Sequence, residues 1–136
     1  MTKVYQILEE NYELIEGTFM YSLIEEARFH EDHFWDYYND AMELVKDRIK
    51  QELDKELTKK LIWTYKRIME CFLCHHDDKD IYEMTNYPGD KDLYYLERLS
   101  FMIDGYFNDY VMSEKQFGSE IKNPKYKELY KDEKEM

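Results

Sequence analysis

Glycine and proline are scarce in this 136-residue chain, with 4 of one and 2 of the other. A β-sandwich or barrel needs turn residues at every reversal, so so small a supply argues against both. Cysteine is equally thin. Cys71 and Cys74 are the only two, which does not suit a disulfide-stapled secreted scaffold. No stretch approaches the ~18 apolar residues of a membrane span. The opening MTKVYQILEENYELIEG carries glutamates where a signal peptide would carry its apolar run. The cytoplasm is therefore the expected compartment, and no membrane is expected as a partner.

Positive charge is also in short supply, at 19 basic against 31 acidic residues, a net of −12. The deficit is uneven: residues 1–45 sum to −9, residues 46–70 to +3, residues 71–110 to −6, and residues 111–136 balance. Such a field repels phosphates, so nucleic acid is not an expected partner, whereas a basic protein surface would be attracted.

Aromatic residues are abundant, with 14 Tyr, 7 Phe and 2 Trp. A disordered chain would be poor in them. The length suits one domain, and a chain of this size buries enough surface to fold without a disulfide or metal.

Apolar residues recur at helical spacing. A first helix is expected over 3–15 (Val4, Ile7, Leu8, Leu14, Ile15), punctuated by Gly17 and Thr18, and a short one over 19–29 (Phe19, Leu23, Ala27). Asp32 reads as the N-cap of a helix over 33–50, where Phe34, Tyr38, Ala41, Val45 and Ile49 share one face. The clearest segment is 54–76, with Leu57, Leu61, Tyr65, Ile68 and Phe72 in one stripe, widened by Ile62, Met69 and Leu73, and Lys59, Lys60, Lys66 and Arg67 opposite. Residues 77–90 read as a loop closed by Pro88-Gly89. A last long helix over 91–109 would turn Leu93, Leu96, Leu99 or Ser100, Ile103 and Phe107 inward. The expected fold is all-α, a compact bundle of four to five amphipathic helices over residues 1–110. Residues 111–136 form a polar C-terminal segment, either a short helix near 124–132 or a frayed tail.

Several patterns invite chemistry. Cys71-Phe72-Leu73-Cys74-His75 matches the haem c attachment string, but that chemistry belongs to exported proteins. The cysteines lie near a helix C-terminus, the wrong end to favour a thiolate, and read as small apolar fillers. Cys71, Cys74, His75 and His76 are too crowded on one helix end to close a zinc tetrahedron. His76-Asp77, with His30 or His33 and Asp104, could imitate the ligand set of an HD-type metallohydrolase. The plainer account puts His75 and His76 at a helix C-terminus. Glu9-Glu10-Asn11-Tyr12-Glu13 resembles half of the acidic pattern of all-α nucleotide pyrophosphatases, yet 26 residues separate it from Asp40-Ala41-Met42-Glu43, whose acids run in the opposite order. No histidine has a glutamate three residues before it, which removes a di-iron site, and the loop around Asp77 lacks the central glycine of a calcium hand. No catalytic residue, metal or cofactor is expected.

Tyr37-Tyr38 and Tyr94-Tyr95 are adjacent pairs, so in each the rings diverge by about 100° and only one is expected to turn fully inward. An outward tyrosine among carboxylates suits a protein interface.

Three stretches, Ser22–Val45, His75–Pro88 and Arg98–Phe107, resemble the small α-helical immunity proteins of bacterial polymorphic-toxin and contact-dependent inhibition systems. Together they cover about a third of the chain. The resemblance implies a non-enzymatic protein that binds a cognate toxin with a basic surface, often a nuclease, and covers its active face. Asp36, Tyr37, Asp40, Asp77, Asp78, Asp80, Tyr82 and Glu83, carboxylates and tyrosines outside the apolar stripes, are the expected contact residues. The alternatives are a metal-dependent hydrolase of nucleotides or phosphates, using His76-Asp77 or the acidic helix clusters, and a helical adaptor with another basic partner.

Overall fold

The structure, a computed structural model, describes residues 3–130. Five α-helices follow one another among them: α1 (Gln6–Tyr12), α2 (Phe19–Ile24), α3 (Glu31–Asp47), α4 (Lys55–His75) and α5 (Asp92–Asn108). Short 3-10 turns stand at Gly89–Lys91, Glu114–Gln116 and Pro124–Tyr130. The all-α bundle expected from periodicity is the architecture that forms. Among the described residues the β-type pairing is one isolated parallel bridge, Arg28 to Thr85. No helix of the described residues is long and apolar enough to cross a membrane.

Helix boundaries follow local chemistry. α4 begins where the Asp54 carboxylate accepts the Leu57 amide at 3.1 Å and ends at His75, close to the expected bounds. α1 is shorter than expected, because Leu14 and Gly17 adopt left-handed backbone at φ of 56° and 93° and turn the chain away. Val4, Ile7 and Ile15 stay exposed as a result, and Leu8 alone of the expected face is buried. α3 is capped by His30, whose Nδ1 accepts the His33 amide at 3.3 Å, and Asp32 stands inside the first turn. The Arg28–Thr85 bridge causes this shift. Phe29 N donates to Thr85 O and Thr85 N to Ala27 O, which holds the chain extended up to His30 and lets the helix start at Glu31.

α3 lies at the centre, packed on α1, α2 and α5, while α4 packs on α1, α2 and α5. This corrects the reading of the first tyrosine pair. Tyr37 and Tyr38 diverge as expected, yet both are buried, because α3 has core on more than one side. Tyr37 lies by Phe19 and bonds Thr64 of α4, and Tyr38 stacks on Phe34 at 5.9 Å. At the middle, Phe29, Phe34 and Tyr95 form a cluster of edge-on and stacked rings with centroids 4.8–6.1 Å apart.

That cluster also decides the rotation of α5. Its buried face is Tyr95, Arg98, Leu99, Met102 and Tyr106; of the expected stripe Leu99 is buried and Ser100 is not, while Leu93, Leu96, Ile103 and Phe107 are exposed or half-buried. Leu93 is 64% and Phe107 45% exposed. Either stripe satisfies helical periodicity; the one carrying the ring that fits between Phe29 and Phe34 goes inward. α5 ends at Asp109, in left-handed backbone at φ 61°, and the Tyr110 amide returns to Gly105 O. A Cβ on Gly105 would stand 2.3 Å from the Tyr110 carbonyl oxygen, so this return requires glycine.

Residues 111–130 run back over the bundle and contribute Glu114, Ile121, Asn123 and Tyr130 to its buried set. The short helix expected near 124–132 is present as 3-10 turns over Pro124–Tyr130, kinked at Tyr126. Its last expected residues, 131–132, lie outside the described residues. Asn39 and Asn123 exchange amide hydrogen bonds at 2.7 and 3.0 Å, which ties this segment to α3.

Candidate partner-binding loop

The eight expected contact residues separate into two groups. Asp36, Tyr37 and Asp40 are on α3, and Asp77, Asp78, Asp80, Tyr82 and Glu83 are on the loop between α4 and α5.

The α3 group loses two members to internal work. Tyr37 is 0% exposed, and its hydroxyl bonds Thr64 Oγ1 at 2.6 Å. Thr64 Oγ1 sits 3.0 Å from the carbonyls of Lys60 and Leu61, so its own hydrogen goes to the helix backbone and it accepts from Tyr37. Burial lifts the Tyr37 phenol above its ordinary range, and it touches no partner. Asp40 is half-buried and accepts the Leu8 amide at 2.8 Å. The N-cap of α1 is Tyr5, which offers no side-chain acceptor, so Asp40 supplies the missing cap from another helix. Burial raises the Asp40 carboxyl pKa and the amides of Leu8 and Ile7 pull it partly back. Asp36 does stay on the surface, 4.0 Å from His33, at a small cavity of about 120 Å³ shared with Glu10 and Gly17.

The loop group is held from below and open above. Asp77 Oδ1 accepts the Lys79 amide at 2.9 Å and Asp80 Oδ1 the Tyr82 amide at 2.8 Å, two Asx turns that shape the tip. The Tyr82 hydroxyl donates to Leu23 O at 2.6 Å and pins the far side of the tip to α2. Tyr82 is therefore a brace more than a contact residue; burial and the neighbouring Cys71 raise its phenol pKa. The Met84 amide donates to His75 Nδ1 at 2.9 Å, and Thr85 pairs with the chain at Ala27–Phe29. The Tyr87 ring stacks on His75 at 4.0 Å, and its hydroxyl donates to Asp92 and lies 2.6 Å from His76 Nε2. Burial alone would raise the Asp92 carboxyl, but the bonds from Tyr87, the Leu93 amide and His76 outweigh it and leave Asp92 below its ordinary value.

Between these anchors Asp77, Asp78, Asp80 and Glu83 are exposed, and Ile81 stands fully in solvent at the tip. Periodicity could not single out Ile81, because it lies in no helix. The available signal was one aliphatic residue inside the acidic string DDKDIYE.

The residues weighed for metal chemistry are dispersed. His30 and His33 stack on each other at 3.6 Å, His76 turns to Tyr87 and Asp92, and Asp104 serves Asn108 and Tyr110. Among the described residues no three of His, Cys, Asp and Glu are grouped to hold a metal ion. Cys71 is buried and Cys74 partly so, and burial raises both thiols above their ordinary range, with Tyr82 opposing the rise at Cys71 and Asp80 adding to it at Cys74.

Fold and loop together define a small acidic helical bundle that presents a braced, carboxylate-rich tip around one exposed isoleucine. Comparison with protein-family models, with curated proteins and with solved structures finds no match to this chain.

Proposed function

We propose that this chain is an immunity protein: it binds a cognate toxin domain with a basic surface and covers the toxin's active face without turnover. The observation that carries the reading is the loop tip. Four exposed carboxylates flank, along the chain, an isoleucine that buries nothing in the free protein, on a segment already fixed at Tyr82, Met84 and Thr85. An apolar anchor flanked by charge is the arrangement of a protein-binding hot spot, and prior bracing lowers the ordering cost on association. The net charge of −12 adds long-range attraction for a basic cleft, worth ~10- to 1000-fold in association rate at low salt. Asp36 is a second contact on this reading; Tyr37, Asp40 and Tyr82 shape the scaffold.

The test is whether a neighbouring gene encodes a toxin domain and, with that domain in hand, co-expression with this chain. The parent chain should protect the cell and bind the purified domain. Replacing Asp77, Asp78 and Asp80 together by lysine should slow association and abolish protection, and Ile81→Ala should speed dissociation. Full protection by both variants removes the loop from the account. Measurable hydrolysis of a nucleotide by the purified chain with a divalent cation would replace this reading by the hydrolase one.

A further inference from the structure

α5 carries two apolar stripes, and the core fully buries only one; of the other, Leu96 and Ile103 touch the core at its edge. Tyr95, Leu99, Met102 and Tyr106 are buried, whereas Leu93, Leu96, Ile103 and Phe107, about a third of a turn around the helix, are exposed or half-buried. With Ser100 included, the second stripe advances by steps of three, four, three and four, the 3.5-residue repeat of helices that pack side by side.

The adjoining flank of α4 has the same character. Ile62, Tyr65 and Met69 are half-buried and Leu73 is 71% exposed. Thr58 Oγ1 meets the Tyr106 hydroxyl at 2.6 Å, and Tyr65 shares a cavity of about 300 Å³ with Ser100, Phe101, Ile103, Asp104 and Phe107. These contacts place the flank beside the α5 stripe, so the two helices present neighbouring apolar side chains with Ser100 and Asp104 among them.

The borders of that surface carry opposite charge. Lys59 and Lys66 stand on the α4 side, Glu97 and Asp104 on the α5 side. Among the described residues the lysines form ion pairs with Glu56 and Glu70 of their own helix, at 3.0 and 3.9 Å, exposed pairs that hold little energy, and Lys59 also lies 5.9 Å from the Tyr12 ring centroid. α4 and α5 run antiparallel with Thr58 opposite Tyr106, so Lys59 is level with Asp104 and Lys66 with Glu97.

We propose that this face binds a second copy of the chain. A two-fold axis parallel to the helices lays α4 of each copy over α5 of the other. That rotation preserves height along the helices and exchanges the borders, so each copy's Lys59 and Lys66 come over the other's Asp104 and Glu97. The surface is self-complementary in charge, as an isologous contact requires. α5 is about 26 Å long, and two helices side by side span about 20 Å. The contact then buries about 1,000 Å² in all, the lower bound for a specific interface, which makes the dimer a reversible one. This face uses none of the loop residues Asp77 to Glu83, and the inference does not depend on the toxin-binding reading.

Sedimentation equilibrium of the full chain, from roughly 1 μM to roughly 1 mM, tests it. The parent chain should pass from monomer to dimer within that range. Phe107→Glu should weaken self-association by at least ~10-fold while circular dichroism shows unchanged helix content. If Phe107→Glu disturbs folding, Leu93→Glu, at a more exposed position, gives the same reading. Lys66→Glu and Glu97→Lys should each weaken the dimer, and combining them should restore it. A chain that remains monomeric throughout overturns the proposal. A dimer indifferent to the apolar substitutions does so too, as does a charge exchange that fails to restore association.

Discussion

Arg98 of α5 and Glu114 of the C-terminal segment form an ion pair at 3.1 Å with side chains only 1% and 3% exposed. The Arg98 guanidinium also lies 4.2 Å from the Phe117 ring centroid and reaches Gly118 O at 3.5 Å, so one side chain holds residues 114–118 against the bundle. Burial raises the Glu114 carboxyl pKa and Arg98 offsets the rise. Arg98→Met alone should cost about 3–5 kcal/mol, since it strands a buried carboxylate. Adding Glu114→Leu should recover most of that loss, because two desolvated charges are then replaced by apolar volume. Urea unfolding of both single variants and the double variant gives the cycle, and hydrogen exchange should show residues 111–130 opening first in the Arg98→Met chain.

Asp40 caps α1 from α3, and Asp40→Ala should destabilise the protein by about 0.5–2 kcal/mol, the range of an N-cap loss. The loss should appear as faster amide exchange at Ile7 and Leu8. Affinity for a partner held at the loop should not change. A substantial fall in that affinity, with stability intact, would return Asp40 to the contact surface.

Tyr37→Phe removes a hydroxyl that donates to Thr64 in a closed interior. Thr64 keeps its bond to the helix backbone, so the cost should stay near about 0.5–1.5 kcal/mol. Thermal unfolding measures it. Partner binding by the folded variant should equal that of the parent.

Asp47 binds the Lys3 ammonium and the Tyr5 hydroxyl, each at 2.8 Å, and these bonds hold its carboxyl below the ordinary aspartate value of 3.8. A carboxyl depressed in the folded state adds stability above its unfolded pKa and loses it as pH falls through the folded value. Asp47→Asn should therefore unfold at a lower temperature than the parent at pH ~7, and the two melting curves should converge as the solution is acidified below pH ~3. A difference that persists undiminished in acid would mean that the Asp47 charge is not its source.

The loop was readable as an acidic, turn-rich segment, and Asp77, Asp78, Asp80 and Glu83 are exposed where composition placed them. Tyr82 and Asp40 were not readable as scaffold. Their partners, Leu23 O and the Leu8 amide, lie 59 and 32 residues away, and a hydrogen bond to a distant backbone leaves no local pattern. Ile81 escaped for the opposite reason, because an exposed aliphatic residue is identified by what fails to cover it. α5 shows how two apolar stripes on one helix defeat a periodicity argument: spacing detects both and ranks neither.

By itself the sequence determined the class of fold, the centres of the helices and the sign of the surface field. Each depends on spacing, composition or charge within one segment, and these are fixed before the chain folds. Tertiary packing decided the rotation of α5, the burial of both Tyr37 and Tyr38, and the docking of residues 111–130. In the first two cases a helix had more than one face able to go inward, and in the third the segment had no periodicity to direct it. The choice fell to which rings interlock at Phe29, Phe34 and Tyr95 and to which charge, Arg98, finds its partner when all the elements meet.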